Sequence, residues 1–283
     1  CRQLIRQPPA PPTHTATPAP PTHTATPAPP TSTPTPAVTP TWTPEPVRAR
    51  EATFDLPYVP ILMYHYIRTV DPVEDELGYY LSITPELFDA QMGWLQEQGY
   101  TPIRMDTLTA CLLGEQTCPE QAIAITFDDG YEDAYSQALP ILERYGFPAT
   151  FYIVTDFVGQ PNYVSWEQLE AMVQLGMEIG AHSISHPDLT TLSSEAAADE
   201  IVGSRTMLRE RLGIPVESFC YPIGAYNSSV VDIVHEAGFT NAVTTDRHEI
   251  QSMLYELPRL RIRGDDTLDG FAWHVTAFES VER

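Results

Sequence analysis

The chain of 283 residues contains no lysine; its fifteen basic residues are all arginine, against thirty-eight Asp and Glu, for a formal net charge of −23. A nucleic-acid partner needs a basic surface to displace counterions, so that class is excluded. The same acidity disfavours an anionic polymer as substrate. No run of eighteen apolar residues occurs, so no membrane-spanning helix is expected. Cysteine is scarce. Of the four, no pair has zinc-finger spacing, and Cys111 and Cys118 are seven apart, so they either bridge a small loop or stay as two thiols. Cys220, at an expected strand end, reads as a small buried hydrophobe.

What the first fifty residues hold is proline, threonine and alanine. The unit Ala-Pro-Pro-Thr-His-Thr-Ala-Thr-Pro fills 10–18, repeats at 19–27 and returns degenerate at 28–36. Such composition buries no core and favours extended polyproline II. Residues 1–50 are therefore expected to be a disordered stalk reaching on the order of 100 Å at full extension. The chain starts at Cys1, which resembles the lipid-bearing cysteine of a mature bacterial lipoprotein. That resemblance implies an extracytoplasmic, cell-surface protein held to a membrane through lipidated Cys1 and not inserted through it.

Residues 51–283 are long enough for one domain with a substantial core. Short apolar strands are expected at 59–64, 122–127, 149–154, 177–181, 218–221, 241–245 and 259–262. Amphipathic helices are expected between them at 85–98, 132–145, 165–175, 193–212 and 228–237. This alternation predicts an α/β fold of parallel β/α units, and a (β/α) barrel gathers its chemistry at the C-terminal ends of strands.

Two of those ends carry chemistry. The run Ala122-Ile123-Ala124-Ile125-Thr126-Phe127 leads into Asp128-Asp129-Gly130-Tyr131, and a second strand leads into His182-Ser183-Ile184-Ser185-His186-Pro187. One carboxylate and two imidazoles can hold a divalent ion with positions left open, and the second carboxylate is then free to act as a base on water. If the 182–186 segment is helical, its spacing of four puts both rings on one face.

From about residue 58 to 263 the pattern resembles the polysaccharide deacetylases of the NodB-homology family, metal-dependent carbohydrate de-N-acetylases and esterases. The resemblance implies a distorted, seven-stranded (β/α) barrel. It implies Asp128 as general base, and Asp129, His182 and His186 as ligands of one divalent metal ion, with zinc the expected ion. The family's third motif stands here as Cys220-Tyr221-Pro222-Ile223-Gly224. It implies that Tyr221 lines the groove and that the backbone N–H of Ile223 serves the oxyanion. Where the family has an arginine that orients the base, this chain has Cys220; Arg259 is a candidate replacement, though an ordinary surface arginine fits that position as well.

The family's last motif, a late apolar strand ending in histidine, is not evident. Ile61-Leu62-Met63-Tyr64-His65 offers the same arrangement near the start, like the branch that de-N-acetylates poly-N-acetylglucosamine, and implies His65 as general acid. The expected substrate is an N-acetylglucosamine-containing polysaccharide, acted on by a monomer. Alternatives are deacetylation of peptidoglycan, chitin oligosaccharides or O-acetyl glycans, or an inactive glycan-binding module. Tyr131, Tyr163, Trp166 and Tyr226 also follow expected strands, where aromatics can stack under sugars, and none is assigned a subsite.

Overall fold

The computed structural model describes residues 58–247, 251 and 253–277. Cys1, its proposed lipid anchor and the Pro/Thr-rich stretch lie outside these residues. Among the described residues ten strands occur in chain order: Ile61–Tyr64 (β1), Tyr66–Ile67 (β2), Ser82–Ile83 (β3), Thr101–Ile103 (β4), Ala122–Phe127 (β5), Thr150–Ile153 (β6), Glu178–Ala181 (β7), Ser218–Cys220 (β8), Asn241–Val243 (β9) and Leu260–Arg261 (β10). Seven of them form a parallel path in the order β10-β1-β5-β6-β7-β8-β9, and β4 pairs with β5 beside it. The expected distorted barrel with a seven-strand wall is what forms. The short β2 and β3 make a separate parallel pair.

The wall curls because strands twist and because each strand presents alternate side chains to opposite sides. Leu62, Tyr64, Ile123, Ile125, Phe127, Phe151 and Ile179 face the helices and pack with Phe88, Met92 and Leu95 of the helix Pro85–Gln98. Their alternates Ile61, Ala124, Tyr152, Cys220 and Val243 fill the inside, with Leu257. The two edge strands do not pair directly. Leu257 N–H donates to the Ala242 carbonyl at 2.9 Å and Thr244 N–H to the Leu257 carbonyl at 3.0 Å, so residues 254–259 run along β9 before entering β10.

The expected helices form at Pro85–Gln98, Leu139–Tyr145, Trp166–Gln174, Ser194–Leu212 and Ser228–Glu236, with a π-turn at Ala134–Ala138 ahead of the second. Thr84, Ser165, Ser193 and Asn227 cap four of them through side-chain oxygens, as their residue types dictate. Three further helices, Glu76–Leu81, Met105–Leu112 and Leu268–Thr276, form outside the expected set. The second of these lacks a local cap. Thr150 Oγ1 of β6 accepts the Met105 N–H at 3.1 Å, and Glu178 Oε2 of β7 accepts the Asp106 N–H at 3.2 Å. Its cap comes from the bottom of the sheet.

No helix among the described residues is long and apolar enough to cross a membrane. Cys111, Cys118 and Cys220 are free thiols, so the small disulfide does not form. Burial and the neighbouring Cys111 push the Cys118 thiol up to about 12.

Candidate active site

Strand register builds the site. Tyr64 of β1 pairs with Phe127 of β5, so the next residues, His65 and Asp128, emerge side by side at the C-terminal end of the wall. Continuing the inward alternation of β1 and β5 puts both side chains on the barrel interior. His65 Nε2 lies 3.9 Å from Asp128 Oδ2. Ala181 of β7 and Cys220 of β8 end the next strands, which brings His182 to the same rim.

Asp128 is buried and gripped by Arg259. Its Oδ1 accepts from Nη1 and its Oδ2 from Nη2, each at 2.7 Å, while Arg259 Nε donates to the Thr244 carbonyl at 2.8 Å. Arg259 is only 1% exposed, which corrects the surface-arginine alternative. It reaches the base from the segment entering β10, and its Nη2 also lies 3.1 Å from Cys220 Sγ. Cys220 thus sits small beside an arginine supplied by another strand. Burial alone would raise the Asp128 carboxyl, but the guanidinium and its two hydrogen bonds prevail and hold it well below the carboxylate range.

Asp129 faces the two histidines. Its Oδ1 is 3.4 Å from His182 Nε2 and 3.4 Å from His186 Nε2, and the two rings meet edge to face at 4.7 Å. One ligand atom from each residue fits within 4.8 Å of the others. His182 Nδ1 lies 2.7 Å from the Cys220 carbonyl. A carbonyl only accepts, so Nδ1 carries the hydrogen, which leaves Nε2 as the ring nitrogen free to bind an ion beside Asp129. A carboxylate and two such nitrogens fit a divalent ion with positions left open. A second triple, Asp128, His182 and Cys220, is equally compact, but the Arg259 cation against both Asp128 and Cys220 opposes a metal there.

The segment carrying the histidines is not helical, so the one-face condition of a helix does not apply. Ser183 (φ 65°) and His186 (φ 63°) adopt left-handed backbone, as do Asp129 (φ 70°) and Ile223 (φ 52°). For residues other than glycine this costs of order 1 kcal/mol or more each, and its concentration around one rim marks a functional site. Ile223 is a β-branched outlier whose side chain is 61% exposed at the mouth.

Tyr221 does not line a groove. Its side chain is fully buried, stacked on Tyr226 at 5.1 Å, and its hydroxyl donates to the Tyr255 carbonyl at 2.9 Å. The inward face of β8 belongs to Cys220, so the adjacent Tyr221 must point the other way. Tyr131 instead stacks between Tyr66 (3.7 Å) and Tyr163 (5.1 Å), and the Arg68 guanidinium covers the outer face of Tyr66 at 3.6 Å. Burial pushes His65 below its ordinary value, against the nearby Asp128 and Asp129 charges.

Residues 115–242 match the family model described as Polysaccharide deacetylase. The chain is 30% identical over 206 residues to YxkH of Bacillus subtilis (strain 168), a protein assigned to the polysaccharide deacetylases, covering 72% of this chain and 71% of that one. This chain belongs to the polysaccharide deacetylase family. Among further relatives of this deacetylase is the poly-beta-1,6-N-acetyl-D-glucosamine N-deacetylase of Staphylococcus epidermidis (strain ATCC 35984), 26% identical over 248 residues, 74% of this chain and 83% of that one. Of solved structures, the Streptococcus pyogenes deacetylase PplD in complex with acetate superposes with a TM-score of 0.72 at 27% identity, over 77% of this chain and 98% of that one. The protein is a polysaccharide deacetylase, a hydrolase.

The sequence had pointed to Asp128, Asp129, His65, His182 and His186, and the fold brings these five together. It missed the Cys220 carbonyl that sets the His182 tautomer, because a backbone contact across 38 residues leaves no residue-type signal.

Proposed function

We propose that this deacetylase removes N-acetyl groups from an N-acetylglucosamine polymer, with poly-N-acetylglucosamine favoured, using one divalent ion held by Asp129, His182 and His186. The observation that carries the reading is the joint placement of His65 and Asp128 at the ends of paired β1 and β5, facing the Asp129, His182 and His186 cluster. A divalent ion of the zinc type, when bound, supplies a Lewis acid for the acyl oxygen and lowers the pKa of a coordinated water.

Asp128 takes a proton from the attacking water. Arg259 fixes the orientation of that carboxylate and keeps it ionised. The Ile223 backbone N–H, presented at the rim by its left-handed turn, donates to the oxygen that gains charge. His65 Nε2, 3.9 Å from Asp128 Oδ2, gives a proton to the departing amine, since an amide expels nitrogen well only once it is protonated. The preference for poly-N-acetylglucosamine rests on the early His65 and on relatives such as the Staphylococcus epidermidis enzyme.

The test is amine release by metal-loaded protein from β-1,6 and β-1,4 N-acetylglucosamine oligomers and from peptidoglycan fragments. Release from the β-1,6 series is the expected result. Release only from the others moves the substrate to chitin or the cell wall. Metal binding without release from any would make a glycan-binding module the better reading.

A further inference from the structure

The two histidines of the cluster are held in different ways. His182 has the Cys220 carbonyl behind its ring, whereas the hydrogen bond that holds His186 is made by its backbone N–H, to Ser183 Oγ at 2.9 Å. His186 therefore takes its place from the loop. That loop is unusual: it contains no glycine, yet Ser183 and His186 both have positive φ. A strained segment persists only when its surroundings over-determine it.

The restraint comes from the helix Ser194–Leu212, and chiefly from Glu200. Glu200 Oε2 accepts both the Ile184 and Ser185 N–H groups at 2.8 Å, and its Oε1 accepts the Ser185 hydroxyl at 2.7 Å. Three donors of one loop thus converge on one carboxylate. One turn further along the same helix, Gly203 leaves room for Ile184: a Cβ there would stand 2.5 Å from Ile184 Cδ1. From the opposite side, Asp156 N–H donates to the Ile184 carbonyl at 3.0 Å and Thr155 N–H to the Ser183 carbonyl at 3.3 Å.

We propose that Glu200 is a positioning residue for metal binding, holding the strained 183–186 loop so that His186 Nε2 meets Asp129 and His182. Glu200 touches neither metal nor substrate; it acts through backbone N–H groups, and charge-assisted bonds to such donors are the stronger kind. Partners behind metal ligands typically govern affinity by 10- to 100-fold. The inference rests on the Asp129, His182 and His186 reading and adds to it the group that pre-organises the third ligand.

Zinc affinity of the full chain, measured by competition with a chromogenic chelator, tests this. Glu200→Ala is expected to weaken zinc about 10- to 100-fold, with kcat largely restored at saturating zinc. Glu200→Gln, which keeps an acceptor oxygen for the two N–H groups, is expected to fall between the two. Affinity for Glu200→Ala within threefold of the parent overturns the proposal. If Glu200→Ala does not fold, Glu200→Gln decides: parent-like affinity together with a parent-like melting temperature overturns it. A parent protein that binds no zinc at all would instead defeat the metal reading on which the inference rests.

Discussion

Arg259 and Asp128 form a two-pronged ion pair buried inside the barrel, with both hydrogen bonds at 2.7 Å. The two residues lie 131 positions apart in sequence and on the segments leading to β10 and from β5. Breaking such a pair strands a charge in a dry interior. Arg259→Ala is therefore expected to cost about 3–5 kcal/mol of stability and to abolish most turnover. Arg259→Lys keeps the charge without the fork, so it should recover stability more than activity. Thermal melts and kcat for the two variants check this; parent-like activity in Arg259→Ala would sink the orienting role.

His65 is expected to serve the leaving amine and not the metal. His65→Ala should lower kcat by roughly 10²- to 10⁴-fold while zinc affinity stays near the parent value. Steady-state kinetics beside a chelator titration separate the two. A large drop in affinity would place His65 among the ligands instead.

Cys220 tests the choice between the two compact donor sets. With Arg259 Nη2 at 3.1 Å from its sulfur, Cys220 sits in a cationic neighbourhood. Cys220→Ser is expected to bind one zinc per chain with affinity within a few fold of the parent. His182→Ala, which removes a donor common to both sets, should lose metal in either case. Loss of zinc in Cys220→Ser would favour the Asp128, His182 and Cys220 triple.

Glu178 should make stability fall as pH rises. Burial and the nearby Asp106 raise its carboxyl from an ordinary 4.5 to about 7 in the folded protein, despite its bond from Thr150 Oγ1 at 2.7 Å. Below pH 4.5 folded and unfolded chains both carry the proton, and no penalty exists. Between 4.5 and about 7 the unfolded chain ionises first, so stability drains away through that window and stays lower above it. Glu178→Gln is expected to flatten this loss, gaining roughly 3 kcal/mol relative to the parent between pH 4.5 and 8. Denaturant melts at the two pH values check it; parallel curves for parent and variant would contradict it.

Much of this was legible because the barrel's signals are local. Ala122–Phe127 is apolar but for Thr126 and matches the expected strand residue for residue, since a strand covered on both faces has no polar side to show. The helices expected at 85–98, 165–175, 193–212 and 228–237 start at or beside Thr84, Ser165, Ser193 and Asn227, whose side chains cap them locally. What was not legible depends on distant partners. The helix Met105–Leu112 takes its cap from Thr150 and Glu178, so no residue just before it announces it. The spacing of His182 and His186 left the path of the 182–186 segment open; Ser183 and His186 turn left-handed in a loop held by Glu200 and the Asp156 N–H. Tyr221 lay in the right motif for a groove, but strand alternation that gives Cys220 the inside sends Tyr221 out into the helix layer. Arg259 was readable as either the replacement base-orienting arginine or a surface arginine, and its burial against Asp128, 131 positions away, decides for the first.

The most direct measurement is the joint assay of acetate and free amine from a β-1,6 N-acetylglucosamine oligomer with zinc-loaded parent and Asp128→Asn proteins. The account predicts one acetate per amine for the parent. It predicts a loss of turnover in Asp128→Asn on the order of 10²-fold or more, with zinc still bound through Asp129, His182 and His186. An Asp128→Asn protein as active as the parent would contradict the assignment of the base and, with it, the mechanism built on this site.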